Sequence, residues 1–221
     1  MKMLDTSIKE LLAYQNDLDV IYEKDGNVSL EGKIFVNMVY DHFPVQRYYD
    51  IKIIVNPESV YLSDVYETGG YIGNYCHKYK DNRLCLATNI DLVISNADNN
   101  SLVNFCREYI EQYFFIYEYY TTYGFFPYGD RAHDLEGVKS SYKEITGIKD
   151  DLDLARFLLQ ICRKEYHYRG HLPCPCGSGE RTRKCHPKIL KLMTDELVYK
   201  QICIDFIGMV KEFDEHKRKA K

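Results

Sequence analysis

The chain reads as an α+β protein in two parts: an N-terminal helix, an antiparallel β-meander, an extended flap and further helices over residues 1–147, then a helical tail over 148–221. Three observations predict this. Residues 28–67 hold three runs of alternating β-branched and aromatic residues, the period of half-buried strands. From residue 100 onward the apolar positions recur at helical spacing. Between two of the later helical stretches sits PCPCGSGERTRKCHP (173–187), with three cysteines and a histidine inside thirteen positions.

Taken in order, TSIKELLAYQ (6–15) is a short amphipathic helix, with Thr6 and Ser7 as candidate caps. VSLEGKIFVNMVYDH (28–42), QRYYDIKIIVN (46–56) and ESVYLSDVYE (58–67) are strands separated by short breaks, the signature of a meander. YIGNYCHKYKDNRLCLATNIDLVI (71–94) follows, with a turn at Asp81-Asn82, residues that tolerate left-handed geometry. A Tyr- and Phe-rich helix over 100–121 is broken by GFFPYG (124–129). Helices are predicted near 134–146, over 151–168 with Asp151 as cap, and over 188–218.

The net charge of −4 hides an asymmetry. Residues 151–221 carry 15 Lys and Arg against 10 Asp and Glu, and 1–150 carry 14 against 23. An acidic front and a basic tail point to two functional units. No run of 18 apolar residues exists, and the start, MKMLDTSIKELL, lacks an apolar signal stretch. Eight cysteines without such a signal predict a reducing cytoplasm and metal or thiol chemistry.

Cys174, Cys176, Cys185 and His186 form a tetrahedral Zn²⁺ donor set, and Gly177 and Gly179 permit the positive φ of a tight reversal. The stretch resembles the SEC-C motif, a short zinc-binding module of pattern C-x-C-x8-C-[HC], matched here at every ligand position. The resemblance implies one structural Zn²⁺, closed to substrate, in a module that docks partners. Arg181, Arg183, Lys184, Lys188 and Lys191 surround it, either as a solvated rim or as a docking patch for an acidic partner or RNA. His167 and His171 flank the motif, and spacing alone does not assign either of them a supporting contact to the metal.

HKYKDNRLCLA (77–87) places a histidine, a turn, and a cysteine between two leucines. Read from the residues alone, RLCLA is equally a buried strand and a nucleophile loop. The order of helix, three strands, flap with histidine and L-C-L, then helices resembles bacterial E2-like proteins of the ubiquitin-conjugating (UBC) fold over residues 1–147. FPYGDRAHDLEGVKSSYKEITG (126–147) resembles a later segment of the same family. The resemblance implies that Cys85 forms a thioester with a ubiquitin-like C-terminus and passes it to an amine, and that His77 shapes the loop beside it. Asn74 is a candidate amide near the oxyanion. Asn82 stands where the family has a turn glycine, and the eukaryotic His-Pro-Asn triplet is absent. Cys76 is a neighbouring candidate thiol, Cys106, Cys162 and Cys203 read as core, His133 sits in a capped turn or acceptor-side loop, and His42 has no functional reading.

The expected function is thioester relay in a bacterial ubiquitin-like conjugation pathway, with antiphage defence of the CBASS type implied by resemblance. Partners implied are a ubiquitin-like or C-terminal-glycine protein, an E1-like activating protein and a nucleotidyltransferase acceptor. The chain itself has no Gly-rich nucleotide loop. The alternative is a non-catalytic adaptor whose SEC-C tail binds a protein, with RNA or ribosome binding ranked below it.

Overall fold

The structure, a computed structural model, describes residues 2–22, 27–57, 59–98, 101–129, 134–163 and 167–219. It is an α+β protein built on a four-stranded antiparallel sheet. The chain forms two compact units, Met1–Ala87 with Asp98–Asp130, and Thr88–Ala97 with Arg131–Lys221. This is a different division from 1–147 and 148–221, because α2 (Asn89–Asp98) and α5 (Asp134–Thr146) pack in the second unit.

In the first unit α1 (Lys2–Tyr14) buries Ser7, Ile8 and Leu11, spaced as one helical face. Ser7 does not cap its own helix. Its hydroxyl, buried, accepts the N–H of Leu102 at 2.8 Å and so satisfies the start of a different helix. The strands β1 (Leu18–Tyr22), β2 (Val28–Tyr40), β3 (Phe43–Val55) and β4 (Asp64–Glu67) pair in sequence order. The sequence reading missed β1, whose five residues include Asp19 and alternate too briefly to register. The run 58–67 divides into a 3₁₀ turn, Val60–Leu62, and β4.

β2 and β3 form a hairpin in register from Val28↔Val55 to Tyr40↔Phe43, closed by Asp41 and His42, both at positive φ (46° and 63°). Its inner face carries Leu30, Ile34, Val36, Val45, Tyr49, Ile51 and Ile53, all buried. β1 stops opposite Gly32, so beyond that residue β2 has β3 on one side only. There Gln15 takes over: its Oε1 accepts the N–H of Phe35 at 2.8 Å and its Nε2 donates to the Phe35 carbonyl at 3.2 Å.

A helical segment covers the sheet as α3 (Leu102–Phe105), a π-helical stretch Cys106–Glu111, and α4 (Gln112–Tyr123), ending at Gly124 with φ 77°. Phe114 stacks on Tyr49 with ring centroids 4.0 Å apart. The π turn places Glu111 in the interior, where Gln15 Nε2 donates to its Oε1 at 3.1 Å.

The second unit is helical. α6 (Asp151–Ile161) buries Leu154, Phe157, Leu158 and Ile161, and its cap is Asp150, not Asp151: the Asp150 carboxylate accepts from the N–H groups of Leu152 and Asp153. The helix ends seven residues before the expected 168. The predicted helix over 188–218 is two, α8 (Pro187–Leu192) and α9 (Glu196–Lys219), because Asp195 caps a new start through the N–H groups of Leu197 and Val198. Tyr142 on α5 and Gln201 on α9 both donate to the buried carboxylate of Asp205, at 3.0 and 2.7 Å.

Candidate functional site

The first candidate site is the Cys/His cluster of the second unit. Pro173 bridges Arg181 in antiparallel fashion and the Cys174 N–H donates to the Glu180 carbonyl at 2.7 Å, forming a knuckle that reverses at Gly177 (φ 82°) and Gly179 (φ 79°). α7 (Thr182–Cys185) follows at once and delivers Cys185 and His186 back to the knuckle. Thr182, buried, fastens the two halves by donating its N–H and hydroxyl to the Leu172 carbonyl at 2.9 and 3.2 Å.

The ligand atoms of Cys174, Cys176, Cys185 and His186 all lie within 4.8 Å of one another. Cys174 Sγ is 3.2 Å from His186 Nδ1, and Cys176 Sγ is 3.5 Å from Cys185 Sγ. A tetrahedron with M–S near 2.3 Å and M–N near 2.0 Å has edges of about 3.5–3.8 Å. The cluster is therefore close to the size a four-coordinate divalent ion needs. Burial, followed by the Cys176 and Cys185 thiols, pushes the Cys174 thiol up to about 12. For Cys176 burial acts in the same direction, but the hydroxyl and N–H of Ser178 and the neighbouring thiols outweigh it, and the thiol is lowered. All three sulfurs can be thiolates together at this spacing only with a cation among them.

Ser178 is the residue sequence reasoning missed here. Its hydroxyl lies 3.2 Å from Cys176 Sγ and 3.3 Å from Cys185 Sγ, tying the two sulfurs together from outside. The G-S-G of the motif is the one signal in the sequence that points to this serine. His167 and His171 are exposed, and among the described residues neither hydrogen-bonds to the cluster. No helix among the described residues is long and apolar enough to cross a membrane.

The second candidate site is the flap of the first unit. It leaves β4 at the buried Glu67, whose carboxylate accepts the N–H groups of Tyr71 and Ile72 at 3.0 and 3.3 Å. Residues 77–85 then fold on themselves as a tight loop. Tyr79 N–H donates to the Arg83 carbonyl at 2.8 Å, and Asn82 takes φ 70°, so the turn expected at Asp81-Asn82 falls there. Leu84 N–H reaches the Val65 carbonyl at 2.8 Å and pins the loop to β4.

Cys85 and His77 come together across this loop, the Cys85 N–H donating to the His77 carbonyl at 2.8 Å. Tyr113 from α4 donates its hydroxyl to the same carbonyl at 3.1 Å. The His77 ring sits edge-on to Tyr75 and Phe126, with centroids 5.5 and 5.3 Å away. Cys85 is half-buried, neither sealed under the flap nor fully open, and the Tyr79 hydroxyl lies 3.5 Å from its sulfur. Cys76 is exposed, Cys106 is buried, and Cys162 and Cys203 are half-buried. Asn74 is exposed and, among the described residues, makes no hydrogen bond. The N–H groups of Leu86 and Ala87, just after the thiol, meet no backbone acceptor among the described residues. His42 lies exposed in the hairpin turn, and His133 falls outside the described residues.

Comparison of the chain with protein-family models, with curated proteins and with solved structures finds no match.

Proposed function

We propose that this protein is an E2-like thioester carrier of UBC type, with Cys85 as the nucleophile, and that its second unit holds one structural Zn²⁺ on Cys174, Cys176, Cys185 and His186. The observation that carries the reading is the half-buried Cys85, held in a backbone-paired flap directly after a helix and an antiparallel meander. The sequence of a helix, antiparallel strands, a flap carrying Cys85 and later helices supports this reading, and β1 is a strand beyond the three expected.

The chemistry is thiol exchange followed by aminolysis. The Cys85 thiolate attacks the carbonyl carbon of a ubiquitin-like C-terminus carried as a thioester. A new C–S bond forms, the donor's C–S bond breaks, and the donor sulfur leaves with the proton that Cys85 gave up. An acceptor amine then attacks, a C–N bond forms, Cys85 leaves as thiolate, and the amine's proton passes to solvent. The incoming acyl group is already activated, so a weak general base suffices. The Leu86 and Ala87 N–H groups are the donors left for the oxyanion, because the Cys85 N–H is taken by His77. His77 serves through its backbone carbonyl, as part of the flap's frame.

The zinc, when bound, fixes the knuckle to α7 and contributes folding free energy to the second unit. A ubiquitin-like protein, an E1-like activating protein and an acceptor such as a nucleotidyltransferase are the partners this reading requires, in a bacterial cytoplasmic conjugation pathway of the antiphage kind. The test is a thioester assay with the genomically paired activating protein and modifier. Wild type forms an adduct cleaved by reductant, and Cys85→Ala forms none. Absence of any adduct on wild type sinks the reading.

A second reading, a non-catalytic adaptor, is supported by one observation. Arg169, Arg181, Arg183, Lys184, Lys188 and Lys191 are all exposed around the knuckle and, among the described residues, none forms an ion pair. A surface of uncompensated cations favours an acidic protein partner. A salt-sensitive gel shift with RNA would instead favour nucleic acid. Full biological activity of Cys85→Ala would select the adaptor.

A further inference from the structure

We infer that Tyr79 is a positioning residue for the Cys85 thiolate, held in place by Arg83 and Asp64; the inference rests on the reading of Cys85 as the nucleophile. Three links run outward from the sulfur. The Tyr79 hydroxyl lies 3.5 Å from Cys85 Sγ. The Arg83 guanidinium carbon lies 4.6 Å from the centre of the Tyr79 ring. Arg83 Nη1 binds Asp64 Oδ1 on β4 at 2.9 Å. The sheet thus anchors the arginine, the arginine holds the ring, and the ring aims its hydroxyl at the thiol.

The fold of the loop makes the first link. Tyr79 and Arg83 are joined by a backbone hydrogen bond across the turn at Asn82, and Cys85 sits opposite His77. Residues six apart in sequence therefore meet on one side of the loop. The second anchor is the bridge between Arg83 and Tyr66, which ties the same arginine's backbone to β4.

A phenol O–H is a donor that a thiolate accepts more strongly than a thiol does. Arg83 over the ring face draws electron density from it and sharpens the donor. The bond stabilises the sulfur in both states in which it carries charge, before it attacks and when it leaves during aminolysis. No proton is transferred; the hydrogen stays on Tyr79 throughout.

The experiment is alkylation of the full-length, zinc-loaded protein with iodoacetamide, read at the Cys85 peptide by mass spectrometry at pH values from 6.5 to 10.5. Only the thiolate reacts, so the pH profile reports how well the charged form is held. Tyr79→Phe keeps the ring under Arg83, and its melting temperature checks the fold. At pH 7.5 Tyr79→Phe is expected to react about fivefold more slowly than wild type, the scale of one charge-assisted hydrogen bond at an exposed site. As pH rises through this range the gap is expected to narrow. Arg83→Gln gives the same pH-dependent pattern at smaller amplitude. Equal rates for Tyr79→Phe and wild type at every pH overturn the inference, as does a gap of constant size, which reports access to the sulfur alone. An Arg83→Gln profile identical to wild type removes the arginine from the arrangement. Alkylation needs no protein partner, so its outcome and that of the thioester assay are independent.

Discussion

Cys85 and Tyr113 share one acceptor: the N–H of the first and the hydroxyl of the second both end on the His77 carbonyl, at 2.8 and 3.1 Å. The thiol's backbone position is thus set by the helix beneath the flap as well as by the flap. Burial pushes the Tyr113 hydroxyl well above the usual phenol range, with Tyr75, Cys85 and Cys76 adding to the effect, so it stays a donor at any working pH. Tyr113→Phe is expected to cost about 1 kcal/mol, one neutral hydrogen bond. Amide exchange at Cys85 should quicken with it. Unchanged exchange together with lost stability would show that the hydroxyl does not hold the flap.

Ser178→Ala leaves all four metal donors in place but removes the hydroxyl between the Cys176 and Cys185 sulfurs. Loss of such a supporting contact costs about tenfold in metal affinity. Chelator competition measures it against wild type. Cys174→Ser should lose metal binding outright and melt the second unit early, and Cys76→Ser, outside the cluster, should bind one equivalent of Zn²⁺ as wild type does.

Asp205 gives the second unit a defined pH response. Burial, with a smaller push from Asp91, raises its carboxyl from 3.8 to about 6, against the pull of the Gln201 and Tyr142 hydrogen bonds. The folded state therefore favours the protonated acid. Its contribution to stability is fully present below about pH 4 and is lost as pH rises through 6, with a total of up to about 3 kcal/mol. Asp205→Asn is neutral at every pH and keeps the shape. Its stability relative to wild type should grow between pH 5.0 and 7.5, measured by denaturant unfolding of the two side by side. A difference that stays constant across that range would place the titration elsewhere.

Gly32 marks the end of β1 pairing, at φ 141°, and a Cβ there would sit 2.1 Å from the Asp17 carbonyl oxygen. That oxygen already accepts the N–H of Lys33 at 3.0 Å. Gly32→Ala combines a forbidden contact with a disfavoured φ and is expected to destabilise by about 3 kcal/mol or more. Denaturant titration reads it directly. A loss below 1 kcal/mol would mean that β1 shifts freely at this point.

Local features were the legible ones. The four metal donors lie within thirteen residues, so their meeting is decided by one knuckle and one helical turn. The turn at Asn82 was visible for the same reason. α2 was not, because NIDLVISNAD follows the leucines of the flap and its apolar run continues an extended pattern. Tyr79 carried no signal at all among 21 tyrosines; its meaning arises only when the loop closes and brings it to Cys85. Ser7 likewise looked like a cap in sequence, and serves a helix ninety-five residues away.

The amide of Gln15 occupies both backbone groups of Phe35 that face away from β3. Those are the groups a foreign strand would use to extend the sheet at the point where β1 gives out. One side chain from the end of a helix thus stands in for a missing strand, and the long hairpin is guarded against zipping to another chain at that residue. Gln15→Ala would open this edge, and its mark would be self-association that grows with concentration.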